Sequence, residues 1–168
     1  MRVTWLGTAL LIIPMAALAA QKSPDESFYK KAAEGGMAEV EQGKLAQSKG
    51  HSQAVKDFGA MMVKDHSAAN DQLKALASGK GIDLPDHSSM GEKTTKGKLE
   101  ILSGETFDKS YIKGAVKGHE AAIKEFENEA KNGQDPDAKS FATKTLPTIR
   151  AHLDKIESIA TAEGVDVH

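Results

Sequence analysis

Four segments of about 25 residues each carry apolar side chains at a period near 3.6, and that period fixes the class of fold open to this chain. The second segment repeats Val55, Phe58, Met62, Asp65/His66, Ala69, Leu73 and Leu76. The fourth repeats Ala138, Phe141/Ala142, Thr145, Ile149, His152, Ile156 and Ile159/Ala160. Residues so spaced share one face of a helix and would scatter over both faces of a strand. The first stripe (Phe28, Ala32, Gly35/Gly36, Glu39/Val40, Gly43, Ala46) is rich in small residues, which lets a partner helix approach closely. The third runs Phe107/Asp108, Tyr111/Ile112, Ala115, His119, Ala122/Ile123, Phe126 and Ala130. No run of β-branched or aromatic residues is long enough to predict a strand.

Start and stop signals bound these segments. Ser23-Pro24 opens a helix from about 24 to 48, ended by Gly50; Ser52 opens one to about 78, ended by Gly79-Lys80-Gly81. A helix from about 105 to 131 ends at Asn132-Gly133, and Asp135-Pro136 restarts the chain as a cap followed by proline, for a helix to about 163. Pro147 inside that last pattern removes one backbone bond and predicts a kink. Between the second and third long helices lies a connection of about 25 residues, with a short polar helix over 92–102 that packs Leu99 and Leu102. Two short links and one long one describe an all-α four-helix bundle spanning 24–163.

Ahead of the bundle, residues 1–20 read as a cleavable signal peptide: Arg2, then an apolar run containing Pro14, then the small-residue exit Ala17-Leu18-Ala19. Cleavage falls after Ala19 or Ala20 and removes the single Trp5. The chain has no cysteine, which closes both lipid attachment and disulfides. The expected compartment is the periplasm. The net charge is −2 with both signs interspersed, so no basic stripe for nucleic acid is present. No later run is long enough to span a bilayer, and the alternating segments of a membrane barrel are absent. An envelope partner is left open.

Each long helix places a metal-capable side chain on its apolar face: Glu39, His66 with Asp65 beside it, His119, and His152. Polar groups on buried faces cost free energy unless they are paired. Counted from the adjoining turns at 1.5 Å per residue, all four sit near mid-bundle, with the members of each pair offset by about 7.5 Å. Imidazoles with one or two carboxylates suit a single transition-metal ion such as zinc, iron or copper. A di-iron site would need Glu-x-x-His on two helices. Val63, Val116 and Ile149 stand where those glutamates would be. The competing reading is a buried polar layer, in which Glu39 or Asp65 pairs with a histidine and sets helix register in a non-catalytic structural or interaction protein of the envelope. No nucleophile sits with a base and no phosphate loop follows a strand, so binding or structure is expected rather than catalysis. A third possibility, a metal-dependent enzyme, would need an open coordination position. His51, His87 and His168 fall at turns or the terminus and read as solvated; of Met61 and Met62 only one can face the core.

The segments Met37-Ala38-Glu39-Val40-Glu41, Met62-Val63-Lys64-Asp65-His66, Phe107-Asp108-Lys109-Ser110-Tyr111, His119-Glu120 and Leu146-Pro147-Thr148-Ile149-Arg150-Ala151-His152-Leu153 together resemble the domain-of-unknown-function family 4142. Its members are exported bacterial proteins, often labelled as outer-membrane proteins. The resemblance covers about 27–163. It implies a ferritin-like four-helix fold and an exported location, and it sets Glu39, His66, His119 and His152 within recurring segments.

Overall fold

The computed structural model describes residues 25–167, so the proposed leader, the Ser23-Pro24 helix start and His168 lie outside the described residues. Those described are helical, in the order α1 (Glu26–Lys49), α2 (Gln53–Gly79), α3 (Met90–Ile101), α4 (Gly104–Asn132) and α5 (Pro136–Ala162). The caps explain where most of them begin. Ser52 Oγ accepts from Val55 N at 3.2 Å, Ser89 Oγ from Glu92 N at 3.3 Å, and Asp135 Oδ1 from Asp137 N at 2.9 Å with Pro136 at the first position. α5 continues through Pro147 as one helix. Gly50 and Gly133 end their helices for a different reason than a left-handed turn. Both keep negative φ, and a Cβ at either would collide with the backbone oxygen four residues back, at 2.6 Å.

Two antiparallel hairpins, α1/α2 and α4/α5, form the bundle and meet along α1/α4 and α2/α5. Their polarity follows from contacts at the two ends. At one end Lys80 Nζ bridges Asp135 and Asp137 at 2.9 and 2.8 Å, and the Tyr29 hydroxyl donates to Asp135 Oδ2 at 3.2 Å. Asp25 Oδ2 there accepts from Gln134 N and Asp135 N at 2.7 and 2.6 Å, tying the start of α1 to the α4–α5 turn. At the other end the Asp108 carboxylate accepts from His51 N and Ser52 N, both at 2.8 Å, joining the start of α4 to the α1–α2 turn. The chain therefore leaves α2 at one end and enters α4 at the other. The connection that carries α3 runs the length of the bundle, and the single long crossover gives the up-down-down-up order of ferritin-like folds.

The core has two halves. One packs Val55, Phe58, Met62, Phe107, Tyr111, Ile112 and Ile156; the other packs Phe28, Tyr29, Leu73, Phe126, Phe141 and Ile149. In the second, Phe28 meets Phe126 edge-on at 5.1 Å and Phe141 at 6.4 Å, a favoured aromatic geometry. The inward residues of α5 match the sequence stripe, Thr145 excepted. Tyr29, Gln42 and Glu129 are buried beyond what the stripes predicted. Burial, with Asp25 beside it, pushes the Glu129 carboxyl up to about 7.

α1 and α2 touch through glycine. A Cβ at Gly59 would lie 2.6 Å from Gly43 O and 2.7 Å from Ala46 Cβ, and one at Gly43 would lie 2.8 Å from Gly59 O. Gly59→Ala should therefore cost about 1–3 kcal/mol by overpacking, read as a lowered urea midpoint at unchanged slope. Gly35, with nothing within 4 Å of its Cβ position, is the control. Gly35→Ala should be neutral or gain up to about 1 kcal/mol from helix propensity.

Candidate metal centre

The seam between the two core halves is where the polar residues converge. On α2, His66 follows Met62 by one turn; on α4, His119 lies between Val116 and Phe126; on α5, His152 lies between Ile149 and Ile156. The ring centroids are 5.8 Å apart for His66 and His119, 5.4 Å for His66 and His152, and 5.5 Å for His119 and His152. One ring nitrogen from each lies within 4.8 Å of the other two. Phe58 faces His119 and His152 edge-on at 6.1 and 6.5 Å and keeps that side apolar.

Each ring holds a buried nitrogen without a hydrogen-bond partner: Nε2 of His66, Nε2 of His119 and Nδ1 of His152. In two of them the other nitrogen is engaged. His119 Nδ1 lies 2.8 Å from the Ala115 carbonyl, and His152 Nε2 lies 3.1 Å from Asp65 Oδ2. Both partners only accept, so these nitrogens carry the proton, which leaves a lone pair on His119 Nε2 and His152 Nδ1 when the rings are neutral. Burial depresses His66 to about 3, with His119 and His152 acting in the same direction and Asp65 against it. Burial also lowers His152, opposed by its bond to Asp65. Neutral imidazole is the form that coordinates a metal.

The carboxylates stand behind the rings. Glu39 Oε1 is 3.7 Å from His119 Nδ1, on the side of the proton, and Asp65 holds the outer nitrogen of His152. Burial raises the Glu39 carboxyl, the His119 ring opposes this and Glu92 adds to it. Thus the three histidines named from sequence meet at one place, while Glu39 and Asp65 contact the outer nitrogens. His51 is exposed and His87 sits at the surface, as expected; Met62 faces the core and Met61 is partly covered. Sequence reasoning counted Tyr111 as a core residue only. Its buried hydroxyl has no partner, and burial with Glu39 nearby pushes it well above the usual phenol value. The Phe-Asp-x-x-Tyr segment around it was the available signal.

Two clefts reach this layer. One, of about 500 Å³, lies between α1 and α4 and touches Glu39, His66 and His119. The other, of about 310 Å³, lies between α2 and α5 and touches Asp65, His66 and His152.

Fold and site together define a single-crossover four-helix bundle with three histidines at its waist. The chain belongs to the domain-of-unknown-function family DUF4142, whose match runs over residues 13–159. No curated protein matches it. Among solved structures it is similar to a DUF305 fragment from Deinococcus radiodurans (TM-score 0.73, 12% identity, 83% of this chain and 97% of that one). A DUF305 protein from Streptomyces coelicolor gives TM-score 0.73 at 12% identity over 87% and 97% of the two chains. CopM in its Cu(I)-bound form gives 0.68 at 14% over 82% and 96%. At these identities the likeness is one of fold. No helix among the described residues is long and apolar enough to cross a membrane.

The depressed His66 gives the metal-free protein an acid-sensitive contribution to stability, opposite in sign to that of the raised Glu129. The unfolded ring takes up its proton near pH 6.5 and the folded ring only near 3, so this stability is present above about pH 6.5 and drains as pH falls toward 3. The expected slope is up to about 1.4 kcal/mol per pH unit for this group. Because Glu129 acts oppositely in the same range, the contribution is read as the difference between wild type and His66→Leu in urea titrations of chelator-treated protein between about pH 7.5 and 4. His66→Leu should lose less stability than wild type as pH falls, and identical pH profiles would assign the acid-sensitive contribution elsewhere.

Proposed function

We propose that this protein is an exported bundle that holds one transition-metal ion on His66, His119 and His152. The observation that carries this reading is the meeting of three imidazoles, each offering a ring nitrogen within 4.8 Å of the others and each holding a buried nitrogen without a partner. Leaving one buried acceptor unpaired costs about 1–3 kcal/mol, and a shared cation would satisfy all three at once. Nitrogens this close have a common point about 2.8 Å from each at most, and small ring rotations reduce that to the ~2.0–2.1 Å of a zinc–nitrogen bond. Glu39 and Asp65 act behind the ligands, orienting His119 and His152 and offsetting the ion's charge, the usual work of outer carboxylates. Zinc, copper and iron all accept imidazole. The fold likeness to CopM, described in a Cu(I)-bound form, favours copper. The role is storage, buffering or sensing of the ion rather than catalysis.

Export rests on residues 1–20. Intact-mass analysis of protein from its native compartment should find a chain beginning at Ala20 or Gln21; a chain retaining Trp5 makes the segment an anchor.

Elemental analysis of that same material should give one equivalent of copper, zinc or iron, and chelation should lower Tm. His119→Ala or His152→Ala should abolish stoichiometric binding, and Asp65→Ala should weaken it by about 10–100-fold. Metal at wild-type level in both histidine variants sinks the assignment. The Asp65–His152 bond at 3.1 Å favours a second reading, a metal-free polar layer that sets register. Absence of stoichiometric metal together with a Tm indifferent to chelator would select it.

A further inference from the structure

His119 and His152 are almost wholly buried, at 1% and 3% exposure, so an ion needs a passage to reach them. The three imidazoles come from α2, α4 and α5; α1 supplies none. Where α1 faces α4, both helices carry glycine, with Gly35 on one and Gly114 and Gly118 on the other, and the missing side chains open the cleft of about 500 Å³, whereas the Cβ position of Gly36 is filled by Asn70 of α2. Cβ positions at Gly35 and Gly114 meet nothing within 4 Å, and one at Gly118 would come 3.1 Å from Glu39 Oε1. The cap and first turn of α3 roof one end, held by Gln42 Nε2 donating to Glu92 Oε2 at 3.1 Å. The walls carry four carboxylates, Glu34, Glu39, Glu92 and Glu125, against Lys31 and Lys117. Lys31 is already paired with Glu125 at 3.4 Å. The smaller cleft between α2 and α5 has one carboxylate, Asp65, which is bonded to His152, and Lys144 lies on its wall.

We propose that the α1–α4 cleft is the route by which a hydrated metal cation reaches His66 and His119, with Glu39 and Glu92 as its cation-collecting neck. The inference rests on the metal-binding reading and concerns the path, not the affinity. A passage changes loading and release together and leaves their ratio alone. A neck of like charges raises the rate of cation arrival in a salt-dependent way.

The test uses mature protein stripped with chelator, with Co(II) as the probe and its visible absorption followed by stopped flow. Gly35→Phe fills the cleft, Thr148→Phe fills the opposite one, and Glu92→Gln removes a neck charge while keeping an acceptor for Gln42. Gly35→Phe should slow loading and release by about tenfold or more, at an unchanged end-point spectrum and Kd. Glu92→Gln should slow loading roughly threefold at low salt, an effect lost near ~0.5 M salt. Thr148→Phe should load like wild type. Wild-type rates in Gly35→Phe, or a slow Thr148→Phe, overturn the route. Should Gly35→Phe lose its helical circular dichroism, Glu92→Gln decides, and wild-type loading at low salt overturns the proposal. Wild-type protein that takes up no Co(II) removes the metal reading and the route with it; uptake at rates that no variant alters removes the route alone.

Discussion

Desolvation of three imidazoles at one depth of the bundle is the constraint around which the other features arrange themselves. Each ring sits on a helix face that is otherwise apolar, and each would be cheaper to replace with leucine if packing were the only demand. The two core halves are separate clusters because this layer interrupts them. Phe58, from the first half, closes over two of the rings. Asp65 and the Ala115 carbonyl accept hydrogen bonds from His152 Nε2 and His119 Nδ1, which leaves the lone pairs on the other, buried nitrogens. A polar layer built only for register would be expected to pair its members with one another; here each ring keeps one buried nitrogen unpaired.

The layer can be assembled because the bundle ends are tied independently of it. Asp108 fastens the start of α4 to the α1–α2 turn with two backbone bonds, and Asp25 fastens the start of α1 to the α4–α5 turn with two more. These carboxylate-to-amide bonds set the relative height of the hairpins, and height is what a trihistidine layer requires. The glycine contact of α1 with α2 sets spacing inside one hairpin. Between α1 and α4 glycines do the reverse, leaving room where α2 and α5 supply side chains.

The histidines were legible in the chain because each falls on a stripe whose other members are unambiguous. Phe126 fixes the face of His119 one way along α4, and Ile156 and Ile149 bracket His152. The depth offset of about 7.5 Å expected from counting at 1.5 Å per residue did not survive packing, since such a count knows nothing of how turns and crossing angles stagger helices. The roles of Glu39 and Asp65 were not legible, because whether a carboxylate meets a ring from within or from behind depends on rotamers. Gln42, Tyr29 and Glu129 were missed for a related reason. Their burial comes from partners far along the chain: Glu92 on α3, Asp135 in the last turn, and Asp25 at the start of α1. The direction of the crossover was equally invisible, since residues 80–103 carry no pattern that says which end they return to.

The shared direction of α1 and α5 along the bundle has a consequence for attachment. α1 begins beside the α4–α5 turn, whereas Val165, just past α5, packs among Val55, Phe107 and Ile156 at the far end. The two extremities of the folded body are thus opposite poles, separated by about 40 Å, the rise of a helix as long as α5. The histidine waist lies roughly midway. A tether fixed to either pole attaches away from the histidine waist. Attachment at an extremity and access to the histidine layer are then geometrically independent, and an affinity handle at either extremity leaves both lateral openings clear.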